Sequence, residues 1–217
     1  MKNWYQLTES ETLDKLGVTS EGLSSQQADS LLEKHGKNVL EESKKKSVFQ
    51  VFLSQFADLM VIILIIAAIV SMFSGSVEST IVIFAVITLN AILGTVQHVK
   101  AEKSLESLKS LSSPSAKVIR DGRKIEIDSE NIVPGDIVVL EAGDLVVADG
   151  RIINNYSLQV NESSLTGEST NIDKGVEAIE KEVPLADRTD MVFSGSLVTY
   201  GRAIVVVTET GMNTEIG

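Results

Sequence analysis

Thr166-Gly167-Glu168 places a hydroxyl and a carboxylate on either side of one glycine. Glycine permits a tight turn that presents both side chains at its tip and lets the backbone approach a partner closely. A carboxylate held at such a tip can orient a water or accept its proton. In isolation the string also fits an exposed polar loop. The order of the elements around it separates the two readings.

The chain has 217 residues and a formal net charge of -11, which argues against a nucleic-acid partner held by a basic surface. It has no cysteine, so disulfides, Cys-ligated zinc and thiol catalysis are excluded together. Its two histidines, His35 and His98, are far apart and do not suggest a metal site. No residue set points to a bound cofactor. The polar stretch from Met1 to Glu42 lacks the short apolar core of a secretory signal, so the apolar segments that follow are expected to be internal and retained.

Two short helices are expected in residues 8–36. Thr8-x-x-Glu11 and Ser24-x-x-Gln27 are capping boxes, and Gly17 and Gly36 are stops. His35 is expected on or beside the apolar face of the second helix, as a packing residue. Lys44-Lys45-Lys46 precedes an uncharged run, Leu59 to Phe73; counted from Ala57 it gives roughly 26 Å of helix, close to the thickness of a bilayer core. A short connection, Ser74 to Glu78, leads to a second run, Thr80 to Val96, so an antiparallel transmembrane hairpin is expected. Lys100 and Lys103 flank its far end while the connection has no Lys or Arg, which places both termini in the cytoplasm. Thr88 and Asn90 read as polar contacts between helices. The second helix is expected to continue as a stalk through Ala101, Leu105, Leu108 and Leu111 until Pro114.

From Ala116 the apolar period becomes two. Asp121-Gly122 between Lys117–Arg120 and Lys124–Ile127 signals a hairpin with a type I′ turn. Further strands are expected at 137–140, 145–147, 151–153, 158–160, 191–193 and 203–208, with Lys174 to Asp190 as a surface excursion. The fold class is therefore a membrane protein of α+β type. Its expected parts are a cytosolic helical N-terminal cap (1–56), a two-helix transmembrane hairpin (57–97), a stalk helix (98–111) and an all-β distorted sandwich of jelly-roll type (112–217).

In order and spacing these features resemble the N-terminal part of a P-type cation-transporting ATPase of the calcium-pump-like branch. The resemblance covers nearly the whole chain. Phe52 to Asp58 resembles the first membrane helix of those pumps, and Leu89 to Gly94 the second. Val133-Pro134-Gly135-Asp136-Ile137, Ala148-Asp149-Gly150-Arg151, Leu165-Thr166-Gly167-Glu168-Ser169, Val192-Phe193-Ser194-Gly195 and Gly211 to Gly217 resemble the family's actuator domain. Asn161 stands where that family usually has aspartate, Lys37 where proline is common, and Thr170-Asn171 replaces a proline-containing continuation.

The resemblance implies roles. In those pumps ATP phosphorylates an aspartate, and the acyl phosphate is later hydrolysed by a water held in line with phosphorus. Glu168 would activate that water, Thr166 would hydrogen-bond beside the phosphate, and Gly167 would let the loop enter the site. Asp58 aligns with an acidic residue near the cytosolic ion entrance; ion entry and a solvated helix end are both open to it. The phosphorylated Asp-Lys-Thr-Gly-Thr string is absent from this sequence, so ATP and magnesium are implied only for a complete pump. The implied partners are the lipid bilayer, the remaining pump domains and the transported cation, in a multi-pass cell-membrane protein. An inactive, membrane-anchored regulatory or binding module remains the alternative, as does a pump for sodium and potassium or for protons.

Overall fold

The computed structural model describes residues 3–41, 46–111, 114–167 and 170–217, and only the backbone within 106–111. Glu168, Ser169, Lys44, Lys45, Ser112 and Ser113 lie outside the described residues. In chain order the helices are α1 (Glu9–Leu16), α2 (Ser25–His35), α3 (Val48–Ser54), α4 (Leu59–Phe73), α5 (Val77–Leu111) and the single-turn α6 (Ser163–Thr166). The strands are β1 (Ser115–Arg120), β2 (Arg123–Asp128), β3 (Ile137–Glu141), β4 (Asp149–Asn161), β5 (Asn171–Asp173), β6 (Met191–Val192) and β7 (Leu197–Glu209). The chain divides into two compact units, the first Met1–Glu41 with Ser113–Gly217 and the second Glu42–Ser112.

The first unit is a mixed helix and sheet body. Its antiparallel, seven-stranded sheet runs β2-β1-β3-β7-β4-β5, with β6 also on β4. Side chains alternate faces along a strand, and in β3, β4 and β7 both faces carry buried residues. Ile152, Val205 and Val207 enter one apolar cluster, with Val118, Leu140 and Val160. Their neighbours Ile153 and Val206 enter another, with Val133, Ile137 and, from the N-terminal segment, Val18, Leu23 and Ala28. The N-terminal helices are thus the layer that covers the second face of the sheet. Each large aliphatic side chain so covered contributes about 1.5–3 kcal/mol.

Local chemistry sets the ends of these elements. Thr8 Oγ1 accepts from Glu11 N while the Glu11 carboxylate accepts from Thr8 N, and Ser24 and Gln27 repeat the exchange at α2. Asp121 and Gly122 both have positive φ, 51° and 69°, as a type I′ turn demands. The β1–β2 register closes on Arg120 opposite Arg123.

Several expectations change. The segments expected at 151–153 and 158–160 are one 13-residue strand, β4, bulged against β7. Gly150 lies inside this strand as a packing position, because a Cβ there would lie 2.3 Å from Val205 Cγ1. Residues 145–147 form no strand, only a single bridge from Leu145 to Leu197. His35 is exposed, not packed. The stretch from Lys174 to Asp190 is anchored at both ends by buried charges, since both residues are inaccessible to solvent.

One of those charges belongs to a hub. Arg151 is fully buried. Its Nε lies 2.9 Å from Asp190 Oδ2 and donates to Leu7 O. Its Nη1 donates to Ile152 O and Asp190 O, and its Nη2 to Val176 O. A second pair, Arg120 with the buried Asp136, is bidentate at 2.8 and 2.6 Å.

In the other unit, α5 is a continuous 35-residue helix. Its stretch Val77–Leu105 is long and apolar enough to cross a membrane. The segments Val48–Ala57 and Leu59–Phe73 meet that standard only taken together, and they are bent by 67° at Asp58. Helices α4 and α5 pack on one another, and Val61 and Ala68 of α4 and Ile87 and Ala91 of α5 are buried. Thr80 Oγ1 reaches Ala68 O at 3.5 Å. Thr88 donates to Phe84 O of its own helix, and Asn90 is exposed, so neither links the two helices.

Removing one partner of a buried ion pair costs about 3–5 kcal/mol, a large share of a typical total stability of about 5–15 kcal/mol. Arg151→Met is expected to lower the stability of the sheet-bearing unit by that amount. Arg151→Lys should recover little, because an ammonium cannot reproduce the guanidinium fork. Unfolding midpoints of the chain in detergent check both.

Candidate functional site

The loop that carries Thr166 and Gly167 grows from the end of β4. Glu162 follows the strand, and its carbonyl accepts from Leu165 N and Thr166 N, both at 2.9 Å, starting α6. Thr166 Oγ1 also reaches Glu162 O, at 3.1 Å. Gly167 ends the turn at φ 77°, ψ -4°, with its N–H on Ser163 O. A Cβ at Gly167 would meet no atom within 4 Å, so within this chain glycine is needed there for the backbone angle, not for space. From Asn171 the chain returns along β4, with Asn161 opposite Asn171 and Gln159 opposite Asp173. Thr166 is half-buried and Gly167 exposed. Asn161, at the position where the resemblance departs from aspartate, accepts from Ser163 N through Oδ1 at 3.1 Å.

The base of the loop is charged and dry. Glu162 Oε1 lies 2.6 Å from Lys174 Nζ, and both side chains are fully buried. Burial pushes the Glu162 carboxyl up and the Lys174 ammonium down; each is held against that push by the other. Lys174 also feels Asp190, and its Nζ sits 5.5 Å from the centre of the Phe193 ring. Beside it, Ser164 Oγ donates to Gly195 O at 3.0 Å. The motif stretches around 166 and around 193–195 are therefore joined in space.

Of the residues singled out in the sequence, Thr166 and Gly167 lie together on this loop, and Glu168 is outside the described residues. Asp58 belongs to the other unit, where it is exposed and caps α4 by accepting from Met60 N at 2.9 Å. Sequence reasoning missed Glu162, Lys174, Arg151 and Asp190. The available signal was their position, for charged residues next to strands buried on both faces need partners. Among the described residues no group of three or more His, Cys, Asp or Glu could hold a metal ion.

A cavity of about 180 Å³ lies elsewhere in the same unit, between the N-terminal segment and the sheet. Trp4, Tyr5, Asp149, Glu209, Arg188 and Glu215 line it. Asp149 accepts from Ser194 N and Glu215 N at 2.8 and 2.7 Å. Burial nevertheless pushes its carboxyl from 3.8 up to about 6; the two hydrogen bonds oppose this, and the charges of Glu215 and Glu209 add to it. Trp4 Nε1 donates to Glu209 at 2.9 Å, and Arg188 pairs with Glu215 at 2.7 Å. The strands and the N-terminal segment are tied together here too.

Comparison with known proteins accounts for both units. Residues 110–217 match the family described as the P-type ATPase actuator domain, and residues 4–71 that described as the cation transporter/ATPase N-terminus. A calcium-transporting ATPase of Listeria monocytogenes is 47% identical over 98% of this chain and 24% of its own length. Calcium-transporting ATPase 1 of Lactococcus lactis is 45% identical over the same shares, 98% and 24%. Calcium-transporting ATPase 1 of Bacillus cereus is 44% identical over 100% of this chain and 25% of its own. The chain thus spans about a quarter of the length of these relatives.

Asp149 gives the stability of this unit a pH dependence. Its folded pKa lies above its unfolded value, so between about 4 and about 6 the folded chain keeps a proton that the unfolded chain has lost. Stability from this group is therefore expected to fall as pH rises through that window, by about 3 kcal/mol in all. Asp190, raised to about 6 by burial against the pull of Arg151, adds to the same slope. Asp149→Asn should flatten the slope without abolishing it, as read from unfolding midpoints at pH 4.5 and 7.

Proposed function

The chain belongs to the P-type ATPases, of which it is an N-terminal portion carrying the actuator domain, and on that premise we propose that it forms the hydrolysis-promoting arm of an ATP-driven cation pump, with calcium as the transported ion. The observation that carries this reading is the presentation of Thr166 and Gly167 on a single helical turn at the end of β4, ended by a left-handed glycine.

The chemistry asked of the loop is modest. An aspartyl phosphate, formed on a part of the pump outside this chain, is hydrolysed when a water attacks phosphorus in line with the leaving carboxylate. Glu168 accepts the proton of that water as the new P–O bond forms. Thr166 supplies a hydroxyl beside the phosphate. Gly167 leaves the approach open. Turning of the actuator domain engages and withdraws the loop, and α5 connects that domain covalently to the membrane segment. The preference for calcium rests on the names of the relatives.

In the same reading α4 and α5 form a transmembrane hairpin with both chain ends cytoplasmic. The exposed apolar side chains of both helices, among them Ile63, Ile66, Phe84 and Leu93, support it, since lipid and further membrane helices are the surroundings that accept them. Asp58, as a helix cap near the membrane edge, remains a candidate for ion entry.

Two experiments test these statements. The chain has no cysteine, so Ser76→Cys is a unique label. It is expected to react with an impermeant thiol reagent outside intact cells while Ser10→Cys does not, and the reverse pattern overturns the orientation. Joined to the remainder of a calcium-transporting relative, the chain is expected to support cation-dependent ATP hydrolysis, and alone to form no phosphoenzyme. In that pump Glu168→Gln should leave phosphorylation intact and slow dephosphorylation about a hundredfold. Unchanged turnover of the phosphoenzyme would remove Glu168 from the mechanism.

A further inference from the structure

Glu162 and Lys174 bracket the loop in sequence, with Glu168 midway between them. They also close it in space, Oε1 to Nζ at 2.6 Å, with both side chains fully buried. The turn they enclose has little stability of its own. A single helical turn is an unfavourable nucleus in water, and β5 contributes only three residues of pairing. What fixes the origin of α6 is the Glu162 carbonyl, which accepts from Leu165 N, Thr166 N and Thr166 Oγ1. What fixes the return is Lys174, whose N–H donates to Leu158 O at 3.0 Å and whose carbonyl accepts from Asn155 Nδ2. The ion pair links these two anchors directly.

A buried ion pair adds little stability over a well-packed apolar pair; its distinctive effect is to penalise arrangements that separate the charges. Separation here would mean a slip between the end of β4 and β5, which would carry Thr166 and Gly167 with it. Lys174 is further constrained by Asp190, itself paired with Arg151, and by the ring of Phe193.

We propose that Glu162 and Lys174 are positioning residues, whose buried charge pair holds in place the turn that carries Thr166 and Gly167. The consequence for catalysis rests on the function proposed above; the effect on the loop does not. Neither residue touches the reacting atoms. Both act through the backbone that leads to them.

The test uses Glu162→Gln, Lys174→Met and the double variant that carries both changes. Each single change strands or neutralises a buried partner, and the double change removes the charges together. In the chain itself, amide hydrogen exchange at Leu165, Thr166 and Gly167 is expected to quicken about tenfold or more in each single variant and to return most of the way in the double variant. In the completed pump, phosphorylation from ATP should persist in the single variants while dephosphorylation slows about tenfold or more, the scale expected from displacing a reacting group by a fraction of an ångström. The double variant should recover most of that rate. A merely structural pair would lower formation and breakdown of the phosphoenzyme together, as folded protein is lost, and that result overturns the proposal. Unchanged loop exchange in the single variants overturns it as well. Glu168→Gln, run alongside, separates the two ideas. If that variant keeps a normal dephosphorylation rate, the proposed function fails, and the exchange data alone decide whether the pair positions the loop.

Discussion

The structure depends most on the cost of burying charge in a sheet that is covered on both faces. Arg151 cannot reach water, so each of its nitrogens must find an acceptor inside. It finds them on parts of the chain far apart in sequence: Leu7 in the N-terminal segment, Val176 in the excursion and Asp190 ahead of β6. A guanidinium suits this, because its planar fork can address several acceptors at once. The N-terminal segment is therefore held to the sheet by a buried charged hub as well as by apolar packing.

The same constraint extends toward the loop. Arg151 neutralises Asp190, Asp190 acts on Lys174, and Lys174 neutralises Glu162. The four charges alternate in sign and sum to zero. Moving any one of them exposes a neighbour to an unpaired field in a poorly screened interior. On the proposal above, this run of charges steadies the base of the short turn that carries Thr166 and Gly167.

Close backbone approach is the second device. Gly22 lies so near β1 that a Cβ would overlap Ile119 O, and Gly201 lies as close to Ser157 O. The first lets the link between α1 and α2 pair with the sheet through Leu23 and Arg120. The second lies opposite the bulge around Ser157, whose φ is 55°. In the helical unit Gly94 makes room for a side chain instead, that of Gln55.

Much of this was legible in the sequence. The capping boxes at Thr8 and Ser24, the Asp121-Gly122 turn, the long apolar helix and the Thr166-Gly167 turn are all set by contacts within a few residues, and such contacts are written in local spacing. What only the tertiary structure decided was which surfaces meet. Nothing local to Gly150 announces that β7 presses on it. Lys174 and Asp190 read as the ends of a solvated excursion until the sheet closes over them. Arg151 is one charge among many until its acceptor 39 residues away is found. A charged side chain has the same spacing and the same propensity in water as in a core. Its partner is fixed only when packing removes the solvent, and that is a property of the assembled layers, not of the local chain.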